Sequence, residues 1–349
     1  MLPVMRAAAP VTLRDVAVLA GVSVATASKA LRGDRRISEA TRERVRATAD
    51  RLDYTPNALA QSFASGRSRT IGVFTHRAQT PFTRPVLIGA IKELGLLGHA
   101  TLVFDADVRG GRWRDEDVRR LQARKAEGVL VVGTNNELVS RSVTDRFDSP
   151  VVYAFTDSDD PADPVFQIDS AGAGRLAVEH LLATGRRRIA HVTGGRDSLS
   201  VRGRETGMAE TLAAAGLRTA HPPLYGGWSQ DWGATGTEQL ITAGVQLDAI
   251  FCGNDSIAFG ALRVLEAHGV RVPDDIAIVG VDNWEGVMLD QGTRRLTSVD
   301  LRLERLGAAA ARRLALGEDA DDTHAPEPAN PQRRVVTPVL VEGPSTATA

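Results

Sequence analysis

The chain has 349 residues, 43% of them hydrophobic, so it is long enough for two or three compact domains with packed cores. Its formal net charge is −1, yet residues 1–70 hold 12 basic and 6 acidic side chains, which leaves an acidic excess elsewhere. A basic segment before an acidic body is compatible with phosphate contacts at one end only, although a modest excess is also typical of a solvated surface.

The single cysteine, Cys252, excludes an internal disulfide and favours a reducing compartment. It follows the apolar run of residues 249–251, so we expect a small buried side chain and not a nucleophile. Residues 1–10 hold one arginine and no long apolar core, and no run of 18 apolar residues occurs. We therefore expect neither a signal peptide nor a membrane segment, and a cytoplasmic location.

Two short helices around a tight turn come first in chain order. Apolar residues at i, i+3, i+4 and i+7 predict a helix over residues 13–20, with Thr12 as its N-cap. Gly21 supplies the turn, and Ser23 caps a second helix over residues 24–31. This arrangement is typical of a helix-turn-helix, whose second helix enters the DNA major groove. On spacing alone, the alternative is a generic pair of amphipathic helices.

A third helix and a short connecting segment follow. Ser38 starts the helix, which has Val45 and Ala49 on one face. The next turn ends at Asn57, a candidate N-cap, and residues 58–64 are too few to form a stable helix alone.

After a polar basic joint at residues 65–69, the pattern changes to alternating strands and helices. We predict strands at residues 71–74, 100–104, 128–132, 151–155, 189–192, 249–252, 276–281 and 335–341, and helices at residues 85–97, 116–125, 171–183, 204–215, 232–243, 256–268 and 303–316. This alternation indicates an α/β body of two lobes, each a parallel sheet flanked by helices, with a cleft between them. Residues 317–331 are predicted to be an acidic, proline-rich loop, and the chain to fray from Pro344.

The N-terminal residues resemble those of a known family. The matching residues are VTLRDVA at 11–17, AGVS at 20–23, Thr26, Ser28, Lys29 and YTPNALA at 54–60. They are similar to the N-terminal module of the LacI/GalR-type transcriptional regulators, and the resemblance continues more loosely to about Val341. It implies a homodimeric repressor that binds a palindromic operator in double-stranded DNA and responds to a small-molecule effector.

The resemblance also implies a domain organisation. An all-α helix-turn-helix headpiece takes residues 1–56, and a hinge helix with its linker takes residues 57–69. A two-lobed, periplasmic-binding-protein-like body takes residues 70–344, and a frayed tail takes residues 345–349. The first lobe is expected at about 70–164 and 300–330, and the second lobe at about 165–299 and 331–344.

The second helix of the headpiece carries the residues expected to read DNA. Lys29 can reach guanine or a phosphate, and Val24 and Ala25 can contact a thymine methyl group. Short hydroxyl side chains suit phosphate oxygens. For Ala27 and Leu31 we prefer core packing, which is also the alternative for Val24. The candidate DNA-binding residues are Thr12, Ser23, Val24, Ala25, Thr26, Ser28, Lys29, Asn57, Ala60 and Phe63.

Phe63 departs from the family pattern. It matches the position at which paired hinge helices wedge an apolar side chain, usually leucine, into the minor groove. Phenylalanine is also known as an intercalating wedge. The alternative is that Phe63 belongs to the core of the body.

Effector contacts are expected after strands and at helix starts of the body, where open α/β sheets bind ligands. Arg204 matches the family's effector-binding arginine by its Arg-x-x-Gly spacing, with Arg202 as the competitor. Trp228 matches an aromatic stacking position, which suits the apolar face of a sugar. The candidate effector-binding residues are His76, Phe82, Arg204, Trp228, Asn254 and Asp282.

Simpler roles exist for some of these residues, because Asp282 or Asp255 could cap a helix and Arg204 could lie on the surface. Many family members have an aspartate where this chain has Phe155. The ligand is therefore less polar on that side, or Asp157 substitutes.

Nothing in the sequence indicates catalysis. It has no nucleophile with a base at useful spacing, no phosphate-binding loop and no metal-ligand spacing of histidines, so we expect no enzyme, cofactor or metal site. A transport-type sugar-binding protein is the rival interpretation, against which the headpiece and the missing export signal argue. A sugar or sugar derivative is the first choice of effector and a nucleoside the second. The sequence leaves open the direction of the effector's action, the operator, and dimer versus tetramer.

Overall fold

The computed structural model describes residues 11–57, 66–105, 113–134, 139–285, 294–317 and 332–346. The chain forms two compact units, Met1–Ser68 and Arg69–Ala349, which we call the headpiece and the body. The predicted hinge helix, with Ala60 and Phe63, lies outside the described residues.

The headpiece contains α1 (Leu13–Leu19), α2 (Val24–Leu31) and α3 (Glu39–Arg51). Each helix begins after a hydroxyl side chain that accepts a hydrogen bond from the backbone N–H three residues later, which satisfies one of its free donors. Gly21 turns the chain between α1 and α2 with φ +66°. The core residues are small or branched: Val16, Ala17, Ala20, Ala27, Ala30, Val45 and Ala49.

Two sheets organise the body, and the first contains six parallel strands among the described residues. From one edge to the other they are β13 (Arg333–Val336), β7 (Val165–Ile168), β5 (Val151–Ala154), β3 (Gly128–Val132), β1 (Thr70–Thr75) and β2 (Ala100–Asp105). The central strands are buried on both faces, as parallel sheets covered by helices require.

The second sheet also has six strands in the part of the chain that the structure describes. In order they are β14 (Val339–Val341), β12 (Thr297–Asp300), β11 (Ala277–Val281), β10 (Ala249–Cys252), β8 (Ile189–Thr193) and β9 (Leu224–Tyr225). All neighbours are parallel except β14, which runs antiparallel to β12. A small separate pair consists of β4 (Val139–Ser140) and β6 (Asp157–Ser158).

Helices connect and cover these sheets, which confirms the predicted α/β class. They are α4 (Thr83–Leu96), α5 (Asp115–Ala123), α6 (Ser170–Ala183), α7 (Leu199–Ala214), α8 (Gln230–Thr242), α9 (Asp255–Ala267) and α10 (Leu303–Leu316). Glycines allow close helix pairs: a Cβ on Gly89 of α4 would lie 1.9 Å from the Glu304 carbonyl oxygen of α10. This packing holds α10 against the first lobe, as predicted.

The predicted lobe boundaries need two corrections. Residues 165–168 were assigned to the second lobe, but β7 pairs with β5 in the first sheet, so the chain crosses only after Ile168. The strand predicted over residues 335–341 is two strands, β13 in the first sheet and β14 in the second. Pro338 lies between them and has no backbone N–H for a ladder hydrogen bond, so the chain changes sheets there.

The predicted frayed tail needs a third correction, because Ser345 and Thr346 are buried. The Ser345 hydroxyl donates to the Ile278 carbonyl at 2.6 Å, and the Thr346 hydroxyl lies 2.7 Å from that of Thr297. These bonds attach the end of the described chain to the second sheet.

Candidate functional site

The exposed residues of α2 form the candidate surface of the headpiece. Val24 is 45% exposed and lies outside the headpiece core, contrary to its alternative assignment, whereas Ala27 is fully buried as expected. Ala25 is exposed, and Lys29 is half-buried. The helix therefore keeps its small residues inside and leaves residues of both apolar and basic character for an outside contact.

Two of the predicted phosphate-binding residues, Thr12 and Ser23, also cap helices. The Ser23 Oγ accepts from the Thr26 N–H at 3.1 Å and lies 2.8 Å from the Thr26 hydroxyl. The Thr12 hydroxyl donates to Asp15 at 2.7 Å, and this bond lowers the pKa of the Asp15 carboxyl. These side chains thus fix where α1 and α2 begin and remain at the exposed helix starts.

A cavity of about 340 Å³, which we call the main cavity, lies between the two sheets of the body. Its lining residues are Phe82, Thr134, Phe155, Ile168, Ser200, Arg204, Trp228, Asn254, Ser256, Asp282, Trp284 and Leu301. Five of the six predicted effector residues are among them. The sixth, His76, follows β1 and does not line this cavity. The volume lies within the range of small-molecule sites.

Arg204 is the buried charge of the main cavity, 4% exposed on the first half of α7. Its guanidinium donates to the Gly253 carbonyl at 2.5 Å and lies 3.8 Å from an Asp282 carboxylate oxygen. Arg202 is exposed and absent from the lining. Arg204, and not its competitor Arg202, is therefore the arginine of the cavity.

Asp282 follows β11 and faces Arg204 with φ +102°, a backbone conformation that side chains rarely adopt. Burial raises the pKa of its carboxyl to about 6, against the opposing effects of Arg204 and of a hydrogen bond that Trp284 Nε1 donates at 3.2 Å. The carboxylate is therefore mostly ionised at neutral pH and can accept hydrogen bonds from a ligand.

The two polar residues after β10, Asn254 and Asp255, have different roles. Asn254 caps α9, with its Oδ1 accepting from the Ile257 N–H at 2.8 Å, and also lines the cavity. Asp255 is neither cap nor lining residue: it accepts from the Ser298 hydroxyl at 2.6 Å and the Trp284 N–H at 2.7 Å. Burial, followed by the charge of Asp282, raises the pKa of Asp255 to about 8. Asp255 thereby fixes the loop that presents Asp282.

Aromatic side chains supply the broad surfaces of the main cavity. Trp228 is 41% exposed, and its ring centroid lies 5.7 Å from the Arg204 guanidinium carbon. Trp284 meets Phe82 edge to face, with ring centroids 5.9 Å apart, so the two lobes touch through this pair. Trp284 was missed in the sequence, although its position two residues after Asp282, beyond a strand end, is a signal that could have indicated it.

Apart from Thr134, the wall contributed by the first lobe is apolar. Phe155 lines the cavity at the position where the resemblance leads one to expect an aspartate in many family members. Asp157 does not replace that aspartate, because both of its oxygens accept from Arg333, at 2.7 and 2.8 Å, and it does not line the cavity. The geometry therefore favours the expectation that the ligand is less polar on this side.

Two other properties of the described residues bear on function. None of their helices combines the length and the apolar character needed to cross a bilayer. The same residues contain no cluster of three or more histidine, cysteine or acidic side chains arranged for a metal ion.

Comparisons with known proteins address the whole chain. Residues 12–57 match the sequence model of bacterial regulatory proteins of the lacI family, and residues 178–346 match that of a periplasmic binding protein-like domain. The chain is 32% identical over 309 residues to the HTH-type transcriptional regulator CelR of Thermobifida fusca, covering 87% of this chain and 90% of that protein. It is 29% identical over 336 residues to the ribose operon repressor of Escherichia coli K12, covering 95% and 98%.

Solved structures show the same likeness. The lac repressor dimer bound to operator and the anti-inducer ONPF has a TM-score of 0.68 at 26% identity, covering 97% of this chain and all of that chain. The complex of the transcriptional regulator CelR with cellobiose has a TM-score of 0.57 at 28% identity, covering 96% and 99%.

Proposed function

Because the chain belongs to the LacI family of bacterial regulatory proteins, we propose that it is a cytoplasmic repressor whose operator affinity is switched by a saccharide bound in the main cavity. The observation that carries the ligand half of this proposal is the buried Arg204–Asp282 pair beside Trp228. A guanidinium and a carboxylate can bind neighbouring hydroxyl groups, while an aromatic face covers the apolar side of a sugar ring.

The headpiece supports the DNA half of the proposal. On α2, Val24 and Ala25 are exposed and Lys29 is half-buried. The family model matches residues 12–57, which is nearly all of the described headpiece. Recognition helices of this motif read base edges with such side chains while hydroxyl groups bind phosphates. We therefore assign base contacts to Val24, Ala25 and Lys29, and phosphate contacts to Thr12, Ser23, Thr26 and Ser28. Asn57, Ala60 and Phe63 are proposed contacts of the hinge.

A second copy of the chain completes the proposed regulator. Two headpieces on two half-sites require a palindromic operator, because the symmetry of the DNA site mirrors that of a homodimer. Saccharide in the cavity touches both lobes, so it favours one relative angle between them and changes operator affinity. Such coupling between two sites amounts to about 1–3 kcal/mol.

Operator selection tests the DNA half. Purified full-length protein is mixed with a random duplex library, and bound sequences are amplified through repeated gel shifts. We expect one palindromic site, bound more weakly as salt rises because basic side chains displace counterions. Recovery of no palindrome, or of no salt-sensitive duplex binding at all, contradicts the proposal.

A thermal-shift screen tests the ligand half. Sugars and nucleosides are added separately to the full chain, because a ligand that binds the folded state raises the melting temperature. We expect a saccharide to raise the melting temperature and to change affinity for the selected operator. A nucleoside that does both, with no effect of any sugar, would replace the proposed effector class.

A further inference from the structure

A second cavity of about 290 Å³ adjoins the main cavity. It lies between the starts of α4 and α10, and its walls include Pro81, Pro85, Asn283 and Leu303. Both cavities are lined by Phe82, Asp282, Trp284 and Leu301. A ligand in the main cavity therefore shares side chains with the second cavity, and the Phe82–Trp284 pair belongs to both.

One buried polar atom of the second cavity has no partner among the described residues. Asn283 is 7% exposed, and its Oδ1 receives no hydrogen bond. Its Nδ2 donates to Asp300 at 3.1 Å, and its backbone N–H donates to the Ser298 hydroxyl at 2.9 Å. The Nδ2 bond fixes the orientation of the amide, and Oδ1 is thereby held as an acceptor just beneath the cavity surface, which a ligand hydroxyl reaches after a small shift of the wall. A buried acceptor without a donor costs about 1–3 kcal/mol, which a ligand hydroxyl would recover.

The charges around this cavity come close to balance. Asp282 faces Arg204, and Glu304 lies 3.0 Å from the ammonium of Lys92. Asp300 accepts from the Arg302 backbone N–H at 2.6 Å, and the Arg302 side chain adds a positive charge to the lining. A free cation would gain little here, whereas a neutral group that both donates and accepts hydrogen bonds suits the mixture.

The start of α10 supplies further donors. No side chain caps this helix, whose N-cap position is held by Arg302 in the left-handed region. The N–H groups of a first helical turn lack partners within the helix, and Leu303 and Glu304 both line the cavity. Pro81, Pro85 and the ring of Phe82 provide apolar surface opposite these polar groups. Polar edges with apolar faces are the character of a pyranose ring.

We propose that the second cavity is a subsite for the second ring of the effector, with Asn283 Oδ1 accepting from one of its hydroxyls, so the effector is a neutral saccharide of at least two rings. This inference rests on the proposed saccharide-binding function and narrows it. The main cavity holds the first ring, on Trp228 and the Arg204–Asp282 pair. The ligand then passes the Phe82–Trp284 pair and joins the two lobes.

Calorimetry on the full chain tests the subsite. The probes are glucose and galactose against cellobiose, maltose and lactose, titrated into wild type and two variants. Pro81→Trp fills the second cavity from a residue that does not line the main cavity. Asn283→Gly removes the acceptor and tolerates the φ of +51° found there. Leu96→Trp, at the far end of α4 where the side chain is 84% exposed, is the matched control.

In wild type we expect one disaccharide to bind at least about tenfold tighter than its component monosaccharide, a difference of one or two hydrogen bonds and an apolar contact. Pro81→Trp and Asn283→Gly should each remove most of that advantage and leave monosaccharide affinity within about twofold, while Leu96→Trp changes neither.

Three outcomes would overturn the inference. A monosaccharide that binds as tightly as every disaccharide containing it excludes the subsite and leaves the proposed function intact. The same is true if both cavity variants weaken mono- and disaccharide equally. Binding of no saccharide of either size overturns the subsite and the saccharide effector together.

Discussion

The headpiece and the main cavity differ in how their functional residues are assembled. In the headpiece they lie within one stretch, and residues such as Thr12 and Ser23 both begin a helix and offer a polar group at its end. The cavity collects side chains from Phe82 to Leu301, contributed by loops, strand ends and helix starts of both lobes. A functional surface formed by one contiguous segment can be recognised from the spacing of its residues in the sequence. A cavity is formed by distant segments, and residue spacing does not determine where the chain crosses from one sheet to the other.

Because the headpiece and the main cavity use different residues, we expect DNA binding and the ligand response to be removable separately. Arg204→Ala should have the largest effect. The change leaves Asp282 buried without its counter-charge, and removing one partner of a buried pair costs about 3–5 kcal/mol. We expect saccharide affinity to fall at least about 100-fold, with loss of the ligand response. Operator affinity without ligand should remain. Calorimetry and gel shifts on the same preparation measure both.

Arg202→Ala is the matched control for this experiment, because Arg202 lies exposed on the same helix two residues away. It should keep the ligand response. If the response survives in Arg204→Ala and disappears in Arg202→Ala, the assignment of the cavity arginine is wrong.

Much of the fold and most of the candidate site could be predicted from the sequence, because their signals are local. Hydroxyl caps, Gly21 and the alternation of strands with helices predicted most elements close to their true positions, but α7 begins at Leu199 and not at the predicted residue 204. The resemblance then indicated the register of Arg204, Trp228, Asn254 and Asp282, and these residues do line one cavity.

What the sequence did not reveal depends on contacts between distant segments. Whether β7 pairs with β5 or begins a new sheet is decided by the crossing after Ile168, for which the sequence has no local mark. The role of Trp284 requires Phe82 across the cleft, and the open Oδ1 of Asn283 requires Asp300 to hold its other end. Each of these features is a pairing in space.

In the headpiece, a single substitution should affect DNA binding alone. Lys29→Ala should weaken operator binding or broaden base preference by about 1–3 kcal/mol, since the substitution removes a contact to guanine or a phosphate. Repeating the selection with this variant separates the two cases, because loss of a base contact relaxes one position and loss of a phosphate contact weakens all sequences alike. Saccharide affinity should stay at the wild-type value.

Arg46→Ala serves as the charge-matched control, because Arg46 is exposed on α3 and outside the recognition helix. It should lower affinity less than Lys29→Ala and leave base preference unchanged. Unchanged selectivity and affinity in Lys29→Ala would exclude this residue from the DNA contacts.

The smallest effect, about tenfold, concerns pH and should separate the body from the headpiece, since residues 1–70 contain no histidine. Burial raises the pKa of Asp282 to about 6, so this carboxyl loses its charge, and its value as an acceptor, as pH falls from 7.5 to 5. Saccharide affinity should therefore fall in the same interval. Operator affinity of the ligand-free protein should not follow this profile, because the groups responsible lie in the body.

The contribution of Asp282 to stability should change in the opposite direction, against that of buried His191, whose pKa is lowered to about 4, so it is measured as the difference between wild type and Asp282→Asn. In the unfolded chain Asp282 ionises near its ordinary pKa of 3.8, so between about pH 4 and 6 the folded state binds more protons. That contribution to the free energy of unfolding is present at low pH and is lost as pH rises through 6. Asp255, whose pKa is raised to about 8, adds to the same trend, and Asp300 also faces Asp282. Asp282→Asn should bind saccharide more weakly and without the step near pH 6, whereas Asp255→Asn should keep that step. A step that persists in Asp282→Asn would assign the titration to a different group of the body.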